Sequence, residues 1–271
     1  MPKAKVGDIE VYYETHGEGE PLLLITGFGS YSAHWSPIIP YLSREFRVIA
    51  FDNRGTGQSD KPDYPYTLPM MAGDAKGVLD ALGINKAHVF GVSMGGMIAQ
   101  EFALNYPDRL RCLVLGCTNC GGKHAIPASE EAREFLFGRD MAKLSAEERA
   151  RLTVPWLWTR EFIQSHPEAV ESYVAITSRY PTPVHGFRSQ AQAIARHDTY
   201  DRLPQIKAPT LVITGDADRL IPPENSKILA SRIPNAELVI LKNAGHGFIT
   251  DATEAAAKAI MDFLRRHSGK A

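Results

Sequence analysis

Three observations predict an α/β chain built on a mostly parallel, doubly wound sheet with a helical cap insertion. Short runs rich in Val, Ile and Leu alternate with helical patterns towards both ends of the chain. Several of those runs are apolar throughout, as strands are when helices cover both faces of their sheet. Between residues 121 and 197 the alternation stops, and helical pieces follow one another with no convincing strand. Strand–helix alternation is the pattern of parallel strands joined by crossover helices.

Taken in order, the strand-like runs cover 9–13, 22–26, 46–51, 87–91, 111–116, 210–214 and 237–241. Helical patterns fall at 71–82, 94–105, 223–232 and 252–266. Within the insertion they fall at 129–137, 145–152, 167–178 and 183–196. Residues 1–120 and 198–271 are therefore expected to form the core, and 121–197 a cap. Ligands of open α/β sheets bind outside the carboxyl ends of the strands, so a piece inserted there would act as a lid.

A length of 271 residues suits one large domain carrying such an insertion. At 44% hydrophobic and 23% charged residues, the chain can bury a full core. Thirty basic residues against 31 acidic ones leave a net charge of −1. That balance gives no electrostatic footprint for nucleic acid and no polybasic surface for a membrane. A small, near-neutral molecule is the expected partner. The N-terminus lacks the apolar run of a signal peptide, and no run approaches the roughly 20 residues that cross a bilayer. Only Cys112, Cys117 and Cys120 are present, an odd count without a disulfide framework. A soluble, cytoplasmic protein is expected. Cys117 and Cys120 spell C-x-x-C, but neither a thioredoxin-like context nor a second ligand pair accompanies them. No metal is predicted there, only a loop after a buried strand.

The chemistry concentrates at Gly91-Val92-Ser93-Met94-Gly95, a G-x-S-x-G set between an apolar run and a helix. A sharp strand-to-helix turn strains the backbone at the serine, and the flanking glycines remove side chains that would clash. The hydroxyl is then exposed at a helix N-terminus rich in free N–H groups. A serine attacks only when a base takes its proton. His246, in Asn243-Ala244-Gly245-His246-Gly247 after the last strand, is the best placed of nine histidines. The imidazole needs a carboxylate to fix its tautomer. Asp216 and Asp218 both follow the strand at 210–214. Asp218 is preferred, because it lies further along the loop, while Asp216 is expected to hydrogen-bond its own loop. Two N–H donors must hold the developing oxyanion. Met94, just after the serine, supplies one; Phe28, in Gly27-Phe28-Gly29-Ser30, supplies the other. Trp35, Trp156 and Phe248 are taken as pocket walls.

From Gly27 to His246 the chain resembles the α/β-hydrolase fold family. Gly27-Phe28-Gly29, the loop from Asp52 to Ser59, the Ser93 pentapeptide, Gly215 to Asp218 and His246 occur in the family's order. The D-x-R-G-x-G-x-S loop is a structural element in that family. Bacterial carboxylesterases and 3-oxoadipate enol-lactonases look most similar, partly through Trp35 and the 52–59 loop. One departure is Thr26, where relatives usually carry His before the oxyanion glycine, so hydrogen bonding beneath that loop must differ. The resemblance implies a serine carboxylesterase working through an acyl-enzyme without a cofactor. A lactonase, including the enol-lactonase, is the alternative. An acidic lactone would want a cation in the cap, with Arg133, Arg160 and Arg188 available.

Two readings of other classes compete. A nucleotide-binding fold would use Gly27 and Gly29, but position 32 is Ser, so the third glycine of the fingerprint is missing. A non-catalytic ligand receptor on the same fold would carry a damaged triad, whereas all three positions are filled. Ser at 93 argues against dehalogenases and epoxide hydrolases, whose relatives place Asp there. C–C bond hydrolases, perhydrolases and hydroxynitrile lyases share the serine triad.

Overall fold

The computed structural model describes residues 2–135 and 144–268. Strands β1 (Lys3–Val6), β2 (Ile9–His16) and β3 (Glu20–Ile25) come first. They are followed by the short helix α1 (Ile39–Leu42), β4 (Phe46–Phe51), α2 (Leu68–Ala81), β5 (Ala87–Val92), α3 (Met94–Asn105) and β6 (Leu110–Gly116). Among the described residues, five helices then run without a strand: α4 (Glu130–Arg133), α5 (Ala146–Leu157), α6 (Arg160–Ser165), α7 (Pro167–Arg179) and α8 (Val184–Ala195). The chain returns through β7 (Thr210–Gly215), α9 (Glu224–Arg232), β8 (Ala236–Leu241), α10 (Phe248–Asp251) and α11 (Thr253–His267).

The strands form one sheet in the order β1-β2-β4-β3-β5-β6-β7-β8, parallel from β4 onward and antiparallel at β1–β2 and β2–β4. Alternate residues of each strand feed two cores. Leu23, Ile25, Ile49, Phe51, Leu113 and Val212 pack under α2, α3 and α9. Leu22, Leu24, Val48, Ala50, Val114 and Ile213 pack under α1 and α11. Burial on both faces explains why these runs show no polar alternation.

The sheet order turns at β3, which lies between β4 and β5. Such a switch leaves a crevice between the loops leaving adjacent strands, here those after β3 and β5. Above it, the insertion closes on itself: Gly121 and Asp198 form an isolated antiparallel bridge, with Gly122 N–H donating to the His197 carbonyl at 2.9 Å. Its helices touch the loops at the carboxyl ends of the strands. Gln190 reaches Gly29, Tyr31 O–H reaches the Ile176 carbonyl, and Gly247 N–H donates to the Leu157 carbonyl.

Local chemistry shifts several boundaries from the periodic pattern. Helix α2 starts at Leu68, three residues early, because Thr67 caps it by accepting the Met70 N–H and Pro69 suits the first turn. Helix α5 opens on a Ser145–Glu148 capping box and continues through Pro155, which lies in the last turn where it forfeits one backbone bond. Strand β1 and helix α6 lack a readable pattern. The first is four residues long and carries two lysines, as an edge strand does. The second is a six-residue piece capped by Thr159. Helix α4 occupies the first part of the segment expected at 129–137, and residues 136 and 137 lie outside those described.

Candidate active site

Ser93 stands between β5 and α3 with φ 56° and ψ −124°, a backbone state few side chains adopt. Such a residue costs on the order of 1–3 kcal/mol and persists only when its surroundings hold it. Three donors fix its carbonyl: the N–H groups of Gly96 (2.9 Å) and Met97 (3.2 Å) and the Thr118 hydroxyl (2.8 Å). Its own N–H donates to the Gly116 carbonyl at 2.9 Å, extending the β5–β6 ladder by one rung. The glycines are steric necessities. A Cβ at Gly91 would overlap the Gly95 carbonyl, and one at Gly95 would overlap the Ile25 carbonyl of β3.

The acid and base come from adjacent loops that are stitched together. Asp216 N–H donates to the Leu241 carbonyl and Ala217 N–H to the Ala244 carbonyl, both at 2.9 Å. Asp218, its side chain fully buried, accepts from the N–H groups of Leu220 and Ile221 through Oδ1, each at 2.9 Å. Its Oδ2 pairs with His246 Nδ1 at 2.8 Å. Asp216 departs from the expected turn within its own loop: it accepts the Asn243 N–H at 2.8 Å and so braces the histidine loop. Gly245 N–H donates to Asp251, and Gly247 N–H to the cap.

Cys117 joins these groups. It follows β6 with φ 40°, is buried, and its thiol lies within 4.8 Å of a His246 nitrogen and an Asp218 oxygen. Imidazole and carboxylate are therefore gathered around one sulfur. Burial opposes a charged imidazolium, yet the Asp218 carboxylate outweighs it and holds His246 well above the ordinary histidine pKa. Burial pushes the Cys117 thiol up, which keeps it protonated. Cysteine, aspartate and histidine at this spacing could suggest a metal centre. Both carboxylate oxygens are already committed, however, and Nδ1 faces Asp218 rather than a shared central point. His246 and Asp218 form a hydrogen-bonded pair beside the thiol.

Gly27 brings the loop after β3 alongside, with a Cβ there standing 3.1 Å from Ser93 Cβ. In this loop Ser30 N–H donates to the Gly27 carbonyl and Gly29 N–H to Gln190. Among the described residues, no acceptor takes the Phe28 N–H. Met94 opens α3, so its N–H has no acceptor within the helix. Thr26 anchors a compact network beneath the loop: its hydroxyl donates to the Ser30 carbonyl (3.3 Å) and accepts from Asn53 Nδ2 (3.1 Å). The 52–59 loop is bracing. Asp52 accepts the N–H groups of Ser32 and Gln58, and Arg54, buried, makes a two-pronged bond to Asp74 at 2.6 and 2.7 Å.

The aromatic residues expected as pocket walls require correction. Trp35 is fully buried in the core under α1 and α11, its ring 4.9 Å from that of Phe90. Phe248 is fully buried in the same core, beneath Gly116. Their large apolar surfaces gain more from the core than from a wet cleft. Trp156 stacks on Phe135 in a small cluster with Leu220, and the Arg219 guanidinium covers its ring. Cys117, Thr118 and Gln190 were not legible as site residues. Only the C-x-x-C spelling drew attention to the first, and for the wrong reason.

A family model described as the alpha/beta hydrolase fold matches residues 20–253. The chain belongs to the α/β-hydrolase fold family and is a hydrolase of that class. A relative from Azorhizobium caulinodans that carries the provisional name carbamate hydrolase RutD is 32% identical over 92% of each chain. Among solved structures, a thermophilic esterase from Thermogutta terrifontis superposes with a TM-score of 0.85 at 32% identity, covering 98% of this chain and 99% of that one. The enol-lactonase from Burkholderia xenovorans LB400 also gives 0.85, at 28% identity over 97% and 100%. Among the described residues, no helix is long and apolar enough to cross a membrane.

Proposed function

We propose that the protein hydrolyses a neutral carboxylic ester through an acyl-enzyme, with Ser93 as nucleophile, His246 as base and Asp218 as its acid. The observation that carries this reading is the strained Ser93 at the head of α3, together with the 2.8 Å His246–Asp218 pair that the loops after β8 and β7 supply. His246 takes the Ser93 proton on Nε2 as Oγ attacks the carbonyl carbon. The N–H groups of Phe28 and Met94 hold the tetrahedral oxyanion. On collapse the imidazolium returns its proton to the leaving alkoxide. A water, deprotonated by the same imidazole, then attacks the acyl carbon; collapse expels Ser93 Oγ, which takes that proton back from the imidazolium, and the acid is released. No step needs a metal or an organic cofactor. The helical insertion acts as the lid.

A neutral substrate follows from the charges. Arg133, Arg160 and Arg188, which an acidic lactone could have used, are all exposed, and buried Arg54 is bonded to Asp74. Likeness to the B. xenovorans enol-lactonase favours an uncharged lactone as the second reading. Initial rates on p-nitrophenyl esters of increasing acyl length test the proposal. Ser93→Ala should lower turnover by about 10³-fold or more. Wild-type rates no better than the mutant on esters and lactones alike would replace catalysis with the ligand-receptor reading.

A further inference from the structure

The cap does more than cover the loop after β3, because it holds both polar groups of one residue in that loop. Gln190, fully buried on α8, accepts the Gly29 N–H through Oε1 at 2.9 Å. Its Nε2 donates to the Arg54 carbonyl at 3.0 Å. With an acceptor needed at one end and a donor at the other, the amide fits in this orientation alone. Thr182, just before α8, donates from its hydroxyl to the Gly29 carbonyl at 3.1 Å. Phe187, one turn before Gln190, lies over Gly29 where a Cβ would sit, and meets the Phe28 ring edge-on at 5.4 Å. Gly29 itself has φ +67°, so the turn depends on partners to fix its orientation.

We infer that Gln190 is a positioning residue for the oxyanion site, setting the Phe28–Gly29 peptide and so aiming the neighbouring Phe28 N–H at the reacting carbonyl. The inference rests on the proposed Ser93 mechanism. It makes the seating of the cap a condition for catalysis: if α8 lifts, the loop loses its grip on Gly29 and the Phe28 donor drifts. A misaimed donor weakens binding of the tetrahedral state, whose oxygen carries charge, far more than binding of the uncharged ester.

The test compares Gln190→Met, which removes both bonds, with Gln190→Glu, which keeps an acceptor for Gly29 N–H. Each is measured for kcat, KM, melting temperature and inhibition by two ligands. One is a trifluoromethyl ketone, which forms a charged tetrahedral adduct with the serine; the other is the uncharged amide analogue of the ester. Gln190→Met should lose about 10² in kcat with KM within about threefold, and trifluoromethyl ketone affinity should fall by the same factor while amide affinity holds. Gln190→Glu should recover at least a tenth of wild-type trifluoromethyl ketone affinity, taken as roughly one lost order of magnitude. Hydrogen exchange of residues 26–31 should quicken in Gln190→Met. Unchanged kcat and ketone affinity in both variants would overturn the inference, as would equal losses for ketone and amide, the mark of a residue that only supports the fold. Equal rates for wild type and Ser93→Ala would sink the Ser93 reading and this inference together. A wild type that depends on Ser93, beside an unaffected Gln190→Met, would sink this inference alone.

Discussion

At the residue scale, the proposed mechanism makes the His246–Asp218 pair the source of the pH behaviour. Its base works only when neutral, and Asp218 holds the imidazole pKa well above the ordinary value. Under the proposed mechanism kcat/KM therefore climbs with pH through that raised pKa. Asp218→Asn removes the charge but keeps the shape. It should cut kcat by on the order of 10³–10⁴ and move the limb to lower pH, since burial alone lowers a histidine. A limb that stays in place in the mutant would remove His246 as its source. The same linkage fixes the sign for stability. Folding raises the His246 pKa above an unfolded value of about 6.5, so the pair's contribution is complete below that pH and is lost as pH rises through the folded value.

Some of these residues were readable from neighbours in the chain, and others were not. Ser93 announces itself because the turn that strains it demands Gly91 and Gly95 within two residues. Asp218 was separable from Asp216 by position in the loop, although the second aspartate proved to brace Asn243 rather than its own turn. Trp35 and Phe248 misled because a large aromatic ring suits a pocket wall and a core equally well. Only the surrounding apolar surface decides between them.

At the scale of elements, the elbow depends on how closely α3 approaches β3. A Cβ at Gly95 would meet the carbonyl oxygen of Ile25, which ends a central strand and cannot retreat, and that of Thr26 just beyond it. Gly95→Ala should destabilise the fold by more than about 2 kcal/mol and remove activity with it. Denaturant unfolding would check this, and a variant as stable and active as wild type would refute the packing argument. Helix limits followed capping residues wherever a cap was present, at Thr67 and Ser145 for example. Strand β1 escaped notice because four residues carry too short a pattern to read, and its pairing with β2 supplies what the sequence lacks.

For the whole molecule, a net charge of −1 leaves no long-range field to draw in or repel a substrate. With a neutral ester, kcat/KM should change by less than about twofold between about 0.02 and 0.5 M NaCl. A steep salt dependence would point to a charged substrate and revive the acidic-lactone reading. The cap and core meet around the proposed chemistry at several loops, through Gln190 and Thr182 at Gly29, Leu157 at Gly247 and Ile176 at Tyr31. Motion of the cap should thus be felt at both the oxyanion loop and the histidine loop.

The sequence by itself determined the alternation that builds the sheet, the insertion that interrupts it, the serine elbow and the order of serine, aspartate and histidine. Each of these is written in local geometry: apolar periodicity, a glycine where a Cβ would clash, a proline or cap where a helix begins. The tertiary structure decided that Cys117 stands beside Asp218 and His246, that Trp35 and Phe248 serve the core, and that Gln190 grips a glycine 161 residues away. Such contacts leave no trace in neighbouring residues, because a buried thiol or amide finds its partners only after the sheet and cap have packed.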